Sequence, residues 1–166
     1  HFNINITEEK EKLIHCALEV GSDVPFFLIQ KPCYATGKGE NLHLLNSFVL
    51  NYDILLVNPN QHVSTKLAYD SLGISNSFSQ EQVLNNVTEF NPANKELFLN
   101  DFEKVVFPKY PILEKVKDDF YKMGAVFSSM SGSGAVIYGF FNHADRDKLN
   151  YAVKEFRKSG YFTDIA

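Results

Sequence analysis

The sequence predicts an α+β fold, an antiparallel sheet packed with helices, and three observations carry that expectation. From residue 33 onward the patterns run strand, strand, strand, helices, strand, strand, helix, a grouping unlike the alternating strand–helix order of parallel sheets. The strongest helical period, over 111–123, puts Ile112, Leu113, Val116, Phe120 and Met123 on one face. Hydrophobic residues make up 45% of the chain against 22% charged, a balance that lets it bury a sizeable core. The 166 residues hold one ordinary domain, or one domain with a piece of a second.

In chain order, an amphipathic helix with Leu13, Cys16, Ala17 and Val20 on one face leads into Gly21-Ser22-Asp23-Val24-Pro25. Gly21 is expected to stop it in the left-handed conformation. Pro25 biases Val24 toward an extended backbone, so Phe26-Phe27-Leu28-Ile29 is expected as a short buried strand. Asp23 then sits in a tight joint between helix and strand, which would fix a catalytic carboxylate well. On spacing alone, an aspartate in such a joint is more often a turn former.

Residues 33–40 and 42–45 read as strand, turn and strand, and 52–57 as a further strand ended by Asn58-Pro59-Asn60. Ser64 or Thr65 can cap a helix running to Leu72 and closed by Gly73, with Thr65 and Tyr69 on one face. The polar stretch 76–100 is expected to hold short helices joined by loops. Asn100-Asp101-Phe102-Glu103 starts another short helix, which Pro108 interrupts. After the helix over 111–123, with Gly124 as its stop, come 125–129, the loop 130–134 and a strand over 135–141. A final helix covers about 144–158, burying Leu149, Ala152, Val153 and Phe156.

Composition narrows the function. A formal charge of −4 with scattered lysines argues against a nucleic-acid partner. No apolar run reaches the length needed to cross a bilayer, and no basic-then-apolar leader opens the chain, so a cytoplasmic protein is expected. Cys16 and Cys33 belong to no C-x-x-C pair and read as buried thiols in a reducing compartment. The five histidines are dispersed, and no metal site is assigned. The chain begins at His1 within patterned sequence, so a fragment is expected.

Met130-Ser131-Gly132-Ser133-Gly134-Ala135 is the second informative stretch. Two glycines one residue apart let backbone N–H groups converge on an anion as a small nest. The context is strand–loop–strand, which excludes a Walker loop and a dinucleotide fingerprint, since both lead into a helix. Nor is it the G-x-S-x-G of a hydrolase. Alone, it is more often a hairpin turn.

Taken together, five collinear segments resemble the GHMP small-molecule kinases. Gly21-Ser22-Asp23-Val24-Pro25-Phe26-Phe27 is similar to that family's G-[AS]-D-V-P-F-F, and Ala35-Thr36-Gly37-Lys38-Gly39-Glu40 to its A-x-G-x-G-E turn. Leu56-Val57-Asn58-Pro59 with Val63-Ser64-Thr65 and Ala68-Tyr69, then Asn100-Asp101-Phe102-Glu103, continue the match. The loop at 130–135 resembles the family's third motif. Within the superfamily the chain looks most like the branch acting on a cytidylyl sugar alcohol, 4-diphosphocytidyl-2-C-methyl-D-erythritol, in non-mevalonate isoprenoid biosynthesis.

The resemblance implies roles. Asp23 would be the catalytic base for the 2-hydroxyl that attacks the ATP γ-phosphate, as phosphoryl transfer asks mainly for positioning and charge stabilisation. Thr65 and Tyr69 would bind substrate, Tyr69 stacking on the cytosine ring. Ser131, Gly132, Ser133 and Gly134 would lie against the phosphates. Residues 1–32 would be a remnant of the N-terminal kinase domain carrying the catalytic Asp, and 33–166 the C-terminal domain. ATP with Mg2+ is the implied cofactor. The family's lysine-bearing first strand and P-x-x-x-G-L-G-G-G-S-S loop have no counterpart in residues 1–166, so the resemblance places the ATP motif upstream and implies little turnover by this chain alone. Small-molecule partners are implied, with no nucleic acid and no membrane, and the oligomeric state stays open. The alternatives are a sibling kinase for mevalonate, homoserine or galactose, and a non-catalytic α+β binding domain.

Overall fold

The computed structural model describes residues 10–37, 39–73 and 87–166, so the expectations for 76–86 lie outside the described residues. These residues form two compact units, 10–49 with 87–89, and 50–73 with 90–166.

In the first unit, α1 (Lys10–Val20) buries Ala17 and half-buries Leu13. Cys16 and Val20 are exposed, so the expected apolar face is only partly covered and one thiol expected to be buried lies at the surface. Gly21 ends the helix with its N–H on Ala17 O at 3.1 Å. It does so without the left-handed backbone expected of it.

The segment expected as a buried strand is a second helix, α2 (Val24–Ile29). Pro25 sits in its first turn, where the missing N–H has no intrahelical partner to lose and the fixed φ suits the helix. A short continuous apolar run carries no period that separates strand from helix, so here the proline decides. Phe26, Phe27 and Leu28 are exposed rather than buried. Asp23 therefore joins two helices. Beyond Gln30 the chain makes an antiparallel hairpin of β1 (Cys33–Thr36) and β2 (Asn41–Leu44), with Tyr34 opposite His43 and their rings stacked at 4.6 Å.

The second unit holds a four-stranded antiparallel sheet in the order β4-β5-β3-β6, from β3 (Asp53–Asn58), β4 (Phe127–Met130), β5 (Ile137–Phe141) and β6 (Phe162–Ile165). Its first helix, α3 (Thr65–Leu72), follows β3, and a 3-10 turn over Pro92–Phe98 precedes the short α4 (Glu103–Val106). Then come α5 (Pro111–Lys122) and α6 (Arg146–Lys158), the latter entered through a 3-10 turn at His143–Asp145. Successive strand residues point to opposite faces. Leu55, Val57, Ile137 and Phe141 join Leu113, Val116, Phe120, Leu149 and Phe156 in one buried core between sheet and helices. Phe140 and Phe127, set off from those positions, instead pack around Phe90, at 4.9 and 5.0 Å between ring centres. The sheet is thus apolar on both faces. Strand β6 was not expected from the sequence.

Candidate functional site

Strand β4 is the edge of the sheet, so every second residue turns its N–H and C=O away from β5. Side chains take up those groups. The Tyr121 hydroxyl accepts from the Ser128 N–H at 3.1 Å and donates to the Ser128 carbonyl at 3.2 Å. Glu103 Oε1 accepts from the Met130 N–H at 2.8 Å and from the Ser129 hydroxyl at 2.9 Å. The Asn100 amide donates to the carbonyls of Met130 and Gly132, both at 2.7 Å, while its own oxygen accepts from the Phe102 N–H at 2.9 Å. The strand is therefore pinned at the point where the glycine loop leaves it.

The loop is closed by its own backbone. Ser131 N–H donates to Val136 O at 2.8 Å and Gly134 N–H to Ser131 O at 3.0 Å. That leaves Gly132 and Ser133 as the loop residues whose N–H groups donate to no other described residue. Gly134 has φ +97°, and a Cβ there would lie 2.9 Å from Met130 Sδ, so both backbone and space call for glycine. Ser131 and Gly132 are exposed, and Ser133 and Gly134 half-buried.

The loop meets α3 through a hydrogen bond between the Ser133 and Thr65 hydroxyls, 2.8 Å apart. Ser64 caps that helix, its hydroxyl accepting from the Leu67 N–H at 3.3 Å, and so places Thr65 at the first helical position. One turn on, Tyr69 is 50% exposed and stands edge-on to Phe102, with ring centres 4.8 Å apart. Thr65, Tyr69 and the loop, far apart in sequence, are thus linked within the second unit.

In the first unit Asp23 is exposed, and its carboxylate makes no capping bond to α2. The turn between β1 and β2 approaches it closely, since a Cβ on Gly39 would lie 3.2 Å from Asp23 Oδ1. Asp23 is the one charged side chain among the described residues lining a cavity of about 250 Å³, whose walls are Phe26, Phe27, Cys33, Ala35 and Leu42. Burial pushes the Cys33 thiol above its ordinary value. Among the described residues no group of three or more His, Cys, Asp or Glu is placed to hold a metal ion, and no helix is long and apolar enough to cross a membrane.

Asn100 and Glu103 hold the loop and Tyr121 the strand that leads into it, and sequence reasoning gave none of them a role. Asn100 and Glu103 stood out only as the ends of Asn100-Asp101-Phe102-Glu103, read as a helix start and a family match, and nothing marked Tyr121.

The family model described as GHMP kinases C terminal matches residues 79–159. The chain is 33% identical over 156 residues to 4-diphosphocytidyl-2-C-methyl-D-erythritol kinase of Azobacteroides pseudotrichonymphae, covering 92% of this chain and 57% of that protein. It is 38% identical to the protein of the same name from Caldanaerobacter subterraneus subsp. tengcongensis, covering 87% of this chain and 50% of the relative. A crystal structure of 4-(cytidine 5'-diphospho)-2C-methyl-D-erythritol kinase superposes with a TM-score of 0.69 at 26% identity, covering 92% of this chain and 56% of the other. The chain spans about half the length of the curated relatives it matches.

Proposed function

We propose that the chain carries a GHMP kinase C-terminal domain and that its protein phosphorylates the 2-hydroxyl of 4-diphosphocytidyl-2-C-methyl-D-erythritol with ATP, a step of isoprenoid biosynthesis; the match of residues 79–159 to that family and the likeness to relatives of that name support the reading. The observation that carries the reading is the linkage of the pinned glycine loop, through Ser133, to Thr65 on the helix that presents the exposed ring of Tyr69. On this reading residues 1–32 belong to the N-terminal kinase domain and 33–166 to the C-terminal one, a boundary that falls inside the first compact unit, before its β1–β2 hairpin, and a cytoplasmic setting goes with it.

In the proposed reaction, the 2-hydroxyl oxygen forms a bond to the γ-phosphorus as the bond from that phosphorus to the β-bridging oxygen breaks. ADP leaves, and the hydroxyl proton passes to Asp23. Asp23 suits a base because its exposed carboxylate is committed to no cap. The N–H groups of Gly132 and Ser133 supply donors for phosphate oxygens without reorganisation, as preorganised electrostatic stabilisation requires. Tyr69, 50% exposed, offers its ring to a pyrimidine. ATP would bring magnesium as its complex, and the ion would offset phosphate charge. The described residues form no ligand set of their own for it.

Steady-state kinetics of the full-length protein test the specificity. Tyr69→Ala raises KM for the cytidylyl substrate by roughly tenfold, the worth of one stacking contact, and leaves KM for ATP in place. Equal effects on both constants would remove the stacking role. Turnover of mevalonate, homoserine or galactose in preference to the cytidylyl substrate would assign the chain to a sibling kinase.

A further inference from the structure

Glu103 and Lys117 form an ion pair with side chains only 11% and 17% exposed, and the proposed reaction uses neither. Glu103 opens α4 and Lys117 lies in the middle of α5. The carboxylate is divided between two tasks. Oε2 receives Lys117 Nζ, while Oε1 receives the Met130 N–H at 2.8 Å and the Ser129 hydroxyl at 2.9 Å, directly before Ser131. Lys117 Nζ also lies 5.7 Å from the centre of the Phe107 ring. The neighbouring Lys104 is held by Asp101 at 2.6 Å, and Glu114 and Asp118 border the same cavity of about 440 Å³.

A buried ion pair adds little stability that well-packed apolar side chains would not also supply. What it adds here is direction. A charged acceptor binds an N–H more strongly than a neutral one, and the ammonium fixes which way the carboxylate faces. We infer that the Glu103–Lys117 pair positions the glycine loop, anchoring Met130 so that the N–H groups of Gly132 and Ser133 face an anionic oxygen ligand. Both are positioning residues, acting through the loop. The inference rests on the reading that this loop meets the phosphates of ATP.

The test uses the full-length protein with four variants: Lys117→Met, Lys117→Arg, the double variant Glu103→Gln with Lys117→Met, and Gly132→Val as a probe of the loop. Two quantities are read, hydrogen exchange at the amides of 130–134 without ligand, and KM for ATP against KM for the cytidylyl substrate. Lys117→Met speeds the exchange and raises KM for ATP about tenfold each, the worth of one charge-assisted bond, with the other KM unchanged, and Lys117→Arg restores both. The double variant removes both charges, keeps an oxygen for the Met130 N–H and melts with the wild type, yet retains the raised KM for ATP. Recovery of that KM together with the melting temperature would overturn the inference, leaving the pair a structural one. So would exchange and KM unmoved in Lys117→Met while Gly132→Val raises KM for ATP. Faster exchange in Lys117→Met with KM for ATP unmoved in Gly132→Val would instead overturn the phosphate reading of the loop.

Discussion

Asn100 commits its whole side chain to backbone: two donated bonds to loop carbonyls and one accepted from Phe102. Asn100→Ala strips the carbonyls of Met130 and Gly132 of their donor, and costs about 1–3 kcal/mol in a denaturant titration. Asn100→Asp, which sets a carboxylate against two carbonyls, loses at least as much. Gly139 makes a different demand, for space. A Cβ there would lie 2.3 Å from Phe120 Cδ1, so Gly139→Ala forces α5 off the sheet and costs about 1–3 kcal/mol, read as a lower melting temperature. Neither residue declared its role in the sequence. The Asn100 bonds span 30 and 32 positions, and no local spacing encodes such a reach. The loop between β4 and β5 was legible as a loop because the turn preference of its glycines and serines is local.

Among the elements, those with a long period could be read directly. Helices α5 and α6 lie where their apolar faces put them, and Ser64 caps α3 as its position before Thr65 suggests. Ser64→Ala removes that cap and costs about 1 kcal/mol, and in loosening Thr65 it also weakens the tie to Ser133. A double-mutant cycle with Ser133→Ala reads that coupling as a departure from additivity, and strict additivity would deny it. Two elements escaped. The run Phe26 to Ile29 reads equally as strand or helix, and Pro25 settled it as a first-turn residue. Strand β6 is only four residues long, with Phe162 and Ile165 largely exposed, so its alternation is faint. It is held by pairing with β3 and by the buried Thr163, whose hydroxyl accepts from Arg157 Nε at 2.7 Å.

For the molecule as a whole, the α+β class and the antiparallel sheet were written in the order of the patterns, while the apolar packing on both sheet faces depends on contacts that the order does not carry. A tie between β3 and α6 gives the second unit a pH dependence. Burial raises the Asp53 carboxyl, whose side chain is only 14% exposed, but hydrogen bonds and charge from Arg146, at 3.1 Å, and His143, at 3.2 Å, more than offset this and hold it below its ordinary value of 3.8. The folded state then binds fewer protons than the unfolded state in that range. The contribution is present above pH 3.8 and is lost as pH falls through the lowered value. Asp53→Asn flattens the acid limb of the stability curve, measured by thermal melts from pH 7 downward, and an unchanged limb would deny the tie a role.

The most direct test of the proposed function is ADP release by the full-length protein supplied with ATP and 4-diphosphocytidyl-2-C-methyl-D-erythritol, for the wild type and for Asp23→Asn. The wild type turns over and the variant loses about 10²–10⁴-fold in kcat with both KM values near their original levels, the signature of a missing base. No turnover in the wild type would contradict the proposed kinase, and turnover that survives in Asp23→Asn would return Asp23 to a joint between two helices.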